Sequence, residues 1–477
     1  MKPASKEILI RGGIVLTMDP ALGDLACGDV LVRNGRIAAV GENLDPAGAE
    51  IVDATNCIVL PGFVDGHRHV WQTQLRGVAT DWTIVDYMVH MRTLYCVCYE
   101  PEDAYLGNYV GGLEALAAGV TSVVDHSHLQ ISPEYSDALA SGLLDSGVGG
   151  VFCYGFYNNP PYRPGDSIDV ASIRNRVFAP VEEWHVPNAK RIRDRYFTAA
   201  GALRFGIAAS EVFMIPFDLA AKELNAAWSL EPALVTAHWA CTARADRTPT
   251  MIPELHRAGH LHRNMLFTHC NNFSRADFQI VAALGAGVCA TPDTELGMGM
   301  GFPVQEKMLA AHGSVAFGAD ICSNVAGDLF GQMRLALQSQ RWRGFEASEQ
   351  LPTSMPITAR RYLEIATRIG AEALGMADEI GTLTPGKRAD VILVRTDSIS
   401  TSPSNDPVGT LMFYANASDV DTVLVAGEFR KRNGSLVGVN WPEVRERLVR
   451  SRDQIMDRLA RIPFAKVREV WHDALTG

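Results

Sequence analysis

The sequence has no long apolar run: its longest uninterrupted apolar stretches span fewer than about ten residues, against the roughly 20 that a membrane helix needs. The opening segment MKPASKEILI also lacks the apolar block of a secretory signal, so a soluble, cytoplasmic protein is expected. There is no clustered block of lysine and arginine, and the formal net charge is −11. Nucleic acids and anionic membranes demand a basic footprint, so neither is expected as a partner and a small-molecule substrate is. The nine cysteines are scattered, and the one close pair, Cys96 and Cys98, lacks the two-plus-two spacing of a structural zinc site. Reduced thiols follow as the expectation.

What is present is ample apolar material, 47% of 477 residues, enough for one large core or two to three ordinary ones. It is cut into eight short runs: IVLPGFVDGH to His67, VTSVVD to Asp125, GGVFCYGF to Phe156, LRFGIAAS to Ser210, ALVTAH to His238, MLFTH to His269, GVCATPD to Asp293 and VAFGAD to Asp320. Continuous apolar runs without alternation suit strands buried on both faces of a parallel sheet. Between them lie helical patterns, such as 102–118 and 274–284, followed by Gly119 and Gly285 as C-terminal stops. Eight strand–helix alternations predict an α/β fold, a (β/α)8 TIM-like barrel.

In such a barrel the residues that end the strands meet on one rim, where chemistry concentrates. That rim would hold His67, His69, Asp125, His126, His128, His238, His269, Asp293 and Asp320. His67 and His69 sit two apart, so on a regular strand both imidazoles face the same way and form a ready chelate for a divalent ion. A lone H-x-H is weak evidence. Joined by His238, His269 and Asp320, each at a later strand end, it predicts a metal site.

The segments LPGFVDGHRH, TAHWA, LFTHCNN, FGADICSN and GTLTPGKRADVILV together resemble the amidohydrolase superfamily. Within it the chain is similar to the branch of triazine hydrolases, cytosine-deaminase-like enzymes and adenosylhomocysteine deaminases. The resemblance implies that residues 1–60 and 375–440 form a small composite β-sandwich, 61–374 the barrel, and 441–477 a helical tail. Strand-like ILIRGGIVLTMD and DVLVRNGRIAAVG, with an Arg-Asn-Gly-Arg turn in the second, agree with that. It further implies His67, His69, His238 and Asp320 as ligands of one divalent metal ion, zinc first, with iron, manganese or cobalt as alternatives because N/O donors select weakly. By the same resemblance Asp320 accepts a proton from an activated water that His269 orients, and a C–N bond of a small molecule is cleaved: an amide, cyclic amide, urea-like group or ring amine. Two-metal relatives bridge their ions with a lysine; LRFGIAASEV has none, and Glu211 is the one substitute.

Departures from the resemblance bear on the substrate. Relatives in this branch carry a glutamate three residues after the strand-five histidine, where this chain has Cys241, and a thiol is a poor proton donor in place of a carboxylic acid. Ring deamination, displacement of another leaving group and non-oxidative decarboxylation therefore stand as alternative reactions, and a non-catalytic binding protein as a third class. After strand seven the chain reads ATPDTELGMGMG, which puts Glu295 at the rim as a candidate substrate carboxylate. Trp71, Gln72, Trp82 and Tyr87 follow the H-x-H and are expected to line a substrate loop, with His128 beside them, while His126 and His128 alternate around Ser127 so that both face inward. Arg68 must point away from the metal into an ion pair, and Cys270 and Cys322 read as apolar filler. An amphipathic helix through Val444, Leu448, Ile455, Leu459 and Ile462 packs on the barrel or on another subunit, and a homo-oligomer is expected.

Overall fold

A computed structural model describes residues 7–177, 179–239, 251–346, 348 and 350–476, the stretch 471–476 by backbone only. The apolar runs become eight parallel strands: Phe63–Arg68, Val120–Ser127, Gly149–Gly155, Leu203–Ala208, Val235–Trp239, Met265–His269, Gly287–Ala290 and Ser314–Phe317. They close into a barrel, the eighth pairing with the first. Nearly every strand residue is buried, which is why the runs do not alternate. The helix Pro101–Ala117 ends before Gly119 at φ 83° and the helix Arg275–Ala283 before Gly285 at φ 69°. Ser274 caps the second, its hydroxyl accepting from the Asp277 N–H at 3.2 Å.

Both chain ends build one continuous nine-stranded sheet beside the barrel. The leading part supplies Ile8–Val15, Leu25–Arg33, Arg36–Gly41, Glu50–Asp53 and Cys57–Pro61; the trailing part supplies Val391–Arg395, Val420–Val425, Glu428–Arg432 and Ser435–Leu436. Most pairings are antiparallel, and Cys57–Pro61 joins the halves by pairing with Val391–Arg395. Asn34 and Gly35 turn the chain at φ 50° and 73°, the two left-handed residues that a tight hairpin requires. The sheet has its own apolar core, including Ile10, Val30, Val59, Val391 and Leu393.

The tail forms two helices, Trp441–Leu459 and Phe464–Thr476. The first packs on this chain: Val444 and Leu448 meet Val110, Ser451 donates to Asp103 at 2.6 Å, and Arg458 pairs with Asp103 at 2.6 Å. Among the described residues no helix is long and apolar enough to cross a membrane.

Candidate metal centre

The rim at the C-terminal ends of the strands is drawn together by backbone pairing. Asp320 N donates to His67 O at 2.9 Å and His69 N donates to Asp320 O at 2.8 Å, so Asp320, three residues past the eighth strand, is zipped between the two histidines at the end of the first. Asp320 and His269 both hold left-handed backbone, at φ 59° and 72°. Non-glycine residues there are uncommon and strained, and such strain gathers at functional sites.

Two groups of donors share His67: His67, His69 and His238, and His67, His269 and Asp320, all buried and with the candidate atoms of each group within 4.8 Å of one another. His69 Nε2 lies 3.3 Å from His238 Nε2, and His67 Nε2 lies 3.3 Å from Asp320 Oδ1. The outer nitrogens are all engaged. His69 Nδ1 is 2.8 Å from the His126 carbonyl, His238 Nδ1 is 3.1 Å from Glu211 Oε1, and His67 Nδ1 is 3.4 Å from Thr268 Oγ1. Acceptors on Nδ1 hold the proton there and leave the Nε2 lone pairs facing one another, the arrangement of metal-ligating histidines. His67 Nε2 is buried, and beyond the 3.3 Å approach of Asp320 Oδ1 it has no polar partner among the described residues, an expense that a bound cation would remove. The donor set of imidazoles and one carboxylate fits a first-row divalent ion.

Burial pushes the His67 imidazole down to about 4 and that of His69 well below its ordinary value, where neighbouring histidines add to the effect. Both are neutral donors at pH 7. Burial would raise Asp320, but the His67 hydrogen bond and the surrounding imidazoles outweigh it and hold the carboxyl well below the usual range. Burial would likewise lower His269, yet Glu295 and Asp320 raise it.

Glu295 is placed differently from its sequence reading. It sits in a short helix, Pro292–Gly297, rather than a rim loop, and is wholly buried. Its Oε1 accepts from Thr291 N at 3.0 Å and lies 3.4 Å from His269 Nδ1, so it braces His269. Among the described carboxylates around the cluster, Glu211 is one that lines a cavity, one residue past the expected end of the fourth strand run. It lines a cavity with Tyr157, Arg92, Ser210 and apolar Met88, Phe156, Met214 and Ile215. Its position on His238 Nδ1, the nitrogen turned away from His69, makes it a partner of one imidazole and not a bridge.

Tyr157 was not singled out in the sequence, although it follows directly on the run ending at Phe156. Its hydroxyl lies 2.8 Å from His126 Nε2, 3.3 Å from His238 Nδ1 and 3.4 Å from Glu211 Oε1. His126 stacks on His238 and His128 on His69, each with ring centroids 4.1 Å apart. Trp71 and Gln72 are fully buried: Trp71 Nε1 donates to His128 Nδ1 at 3.0 Å, and Gln72 bonds the Tyr87 and Ser323 hydroxyls at 2.8 Å each. Trp71 thus braces His128 directly, and Gln72 reaches it through Tyr87, whose hydroxyl lies 3.5 Å from His128 Nε2. Trp82 stacks on His90 and packs against Tyr95, a separate aromatic group. Asp293 N is held by Gln332 at 3.1 Å, and Asp125 is buried on Val70 N and Asn108, its carboxyl pushed up to about 7 by burial. Cys241 lies outside the described residues. Arg68 points away from the cluster into a buried ion pair with Asp65 at 2.7 Å; removing one partner of such a pair costs about 3–5 kcal/mol.

Known proteins share the family and the fold of this chain. The Amidohydrolase family profile matches residues 58–430. The chain is 29% identical over 472 residues to a 5-methylthioadenosine/S-adenosylhomocysteine deaminase of Desulforudis audaxviator, covering 94% of this chain and 99% of that one. It is 27% identical over 455 residues to a 5'-deoxyadenosine deaminase of Methanosarcina barkeri, covering 95% and 99%. In structure it is similar to a zinc-bound adenosine deaminase of Xanthomonas campestris, with TM-score 0.81, 22% identity and coverage of 95% and 99%. It is likewise similar to a mutant atrazine chlorohydrolase of Arthrobacter aurescens complexed with zinc and atraton, with TM-score 0.81, 22% identity and coverage of 93% and 100%.

Proposed function

The chain belongs to the amidohydrolase family, and from that premise we propose that it hydrolyses a C–N bond of a small molecule at a single zinc ion held by His67, His69, His238 and Asp320. The observation that carries the reading is the pair of buried donor groups sharing His67. A divalent ion in such a site brings the pKa of bound water from about 15.7 to near 7. The residues supply the rest. Asp320, kept ionised, accepts the proton of the attacking water and passes it to the departing nitrogen. His269, charged more readily than an ordinary histidine and braced by Glu295, stabilises negative charge as the substrate carbon becomes tetrahedral. Tyr157 and Glu211 hold the outer nitrogen of His238.

The names of the relatives favour one member of this class, removal of an amino group from a purine ring; Cys241, where the branch carries glutamate, opposes it. Displacement of a different leaving group is the second reading, favoured by the chlorohydrolase neighbour. A substrate screen on metal-loaded protein that follows ammonia, amine, halide and CO₂ separately decides among these. Release of halide or CO₂ alone would overturn the C–N reading, and a metal-free protein whose turnover ignores chelators would overturn the site. We place the enzyme in a reducing cytoplasm, supported by the free cysteines among the described residues, as a homo-oligomer, which light scattering on the purified protein checks.

A further inference from the structure

Arg92 is a buried cation with no anion at ion-pair distance among the described residues. It lies in a π-helical segment, His90–Tyr95, a rare geometry that recurs at functional sites. Its exposure is 6%, and among the described residues it makes no ion pair. Its Nη1 is completely buried with no hydrogen-bond partner among the described residues, although its guanidinium sits 4.7 Å from the centroid of the Tyr157 ring. A cation–π contact repays only part of the cost of burying a guanidinium, and an unpaired buried charge is strongly unfavourable.

Arg92 lines the same cavity as Tyr157 and Glu211. Both of these touch His238 Nδ1, so the guanidinium stands one tyrosine ring away from the metal centre. Glu211 faces the cavity too and is near enough to feel the charge of Arg92, but its hydrogen bond is to His238 and the two make no direct ion pair. The rest of the wall is mostly apolar, including Met88, Phe156, Met214 and Ile215, with Asn158 and Ser210 as neutral polar groups. A guanidinium offers a planar fork of donors that matches a carboxylate.

We propose that Arg92 is the anion-binding residue of the substrate pocket, and that the substrate presents a carboxylate on an apolar or aromatic body. The inference rests on the hydrolase reading for the word substrate, but its test does not require turnover.

Zinc-loaded wild type, Arg92→Lys and Arg92→Met are titrated by calorimetry with benzoate and with benzamide, its uncharged counterpart. The wild type is expected to bind benzoate at least about 10-fold more tightly than benzamide, and Arg92→Met to lose that preference while keeping its affinity for benzamide. Arg92→Lys keeps the charge without the fork and is expected to retain part of the preference. Equal affinity of the wild type for the two probes overturns the proposal. So does a benzoate preference that survives in Arg92→Met, which would put the carboxylate on the zinc. If Arg92→Met does not fold, Arg92→Lys carries the test, and unchanged benzoate affinity in it overturns the proposal. Zinc content and C–N turnover, measured separately, report on the hydrolase reading, so the two can fail independently.

Discussion

Glu211 Oε1 lies 3.1 Å from His238 Nδ1, while the opposite nitrogen of the same ring faces His69 Nε2 at 3.3 Å. The carboxylate therefore orients the ring and raises the basicity of the nitrogen turned toward the cluster. Partners of this kind typically contribute about 10–100-fold in metal affinity. Glu211→Gln is expected to weaken zinc binding by that order, measured by competition with a chromophoric chelator at fixed pH. Unchanged affinity would mean that the contact serves only packing.

Asp320→Asn should fold and lose nearly all turnover, on the order of 10²-fold or more, because it removes the proton acceptor while preserving shape. Asparagine also tolerates the left-handed backbone found at this position, φ 59°. Near-normal kcat in a soluble, metal-replete Asp320→Asn protein would move the general base elsewhere.

Stripping the metal should lower thermal stability, since the buried donors lose the ligand that joins strands one, five and eight. A ligand present at a thousand times its Kd stabilises by about 4 kcal/mol. The melting temperature is expected to fall on chelation and to recover on adding zinc. A melting curve indifferent to both would contradict a bound structural role for the ion.

Glu295→Gln is expected to cut kcat by about tenfold with KM little changed, since Glu295 acts through His269 and touches no open space. Cys241→Ala should cost less than that, a neutral thiol being a poor acid at neutral pH. If the cysteine variant is the dead one and the glutamine variant works, the proton route passes through position 241.

Glu223 braces the chain next to Glu211: its carboxylate accepts from Ser210 N at 2.6 Å and Ser210 Oγ at 2.8 Å. Burial pushes its carboxyl up from 4.5 to about 7. Between those values the folded chain keeps a proton that the unfolded chain has lost, so this group's contribution to stability falls as pH rises and is lowest above 7. Glu223→Gln, which cannot titrate, should gain on wild type by on the order of 2–3 kcal/mol between pH 4.5 and 8. Denaturant titrations across that range check it, and a difference constant with pH would rule out the titration.

The sequence alone determined the barrel and the cluster. Each buried strand needs an unbroken apolar run, so all eight strands could be read from composition and spacing, and the residues ending them, His67, His69, His238, His269 and Asp320, meet because a parallel barrel brings every C-terminal end to one rim. Tertiary structure decided what surrounds them. Beyond a strand end, periodicity no longer says where a side chain points, and the backbone departs from regular geometry there: left-handed at His269 and Asp320, π-helical at Arg92, a short helix at Glu295. Those local bends turned Glu295 inward behind His269 and left Glu211 facing the cavity. They also brought Arg92 over Tyr157, residues from two different rim segments that no local pattern links.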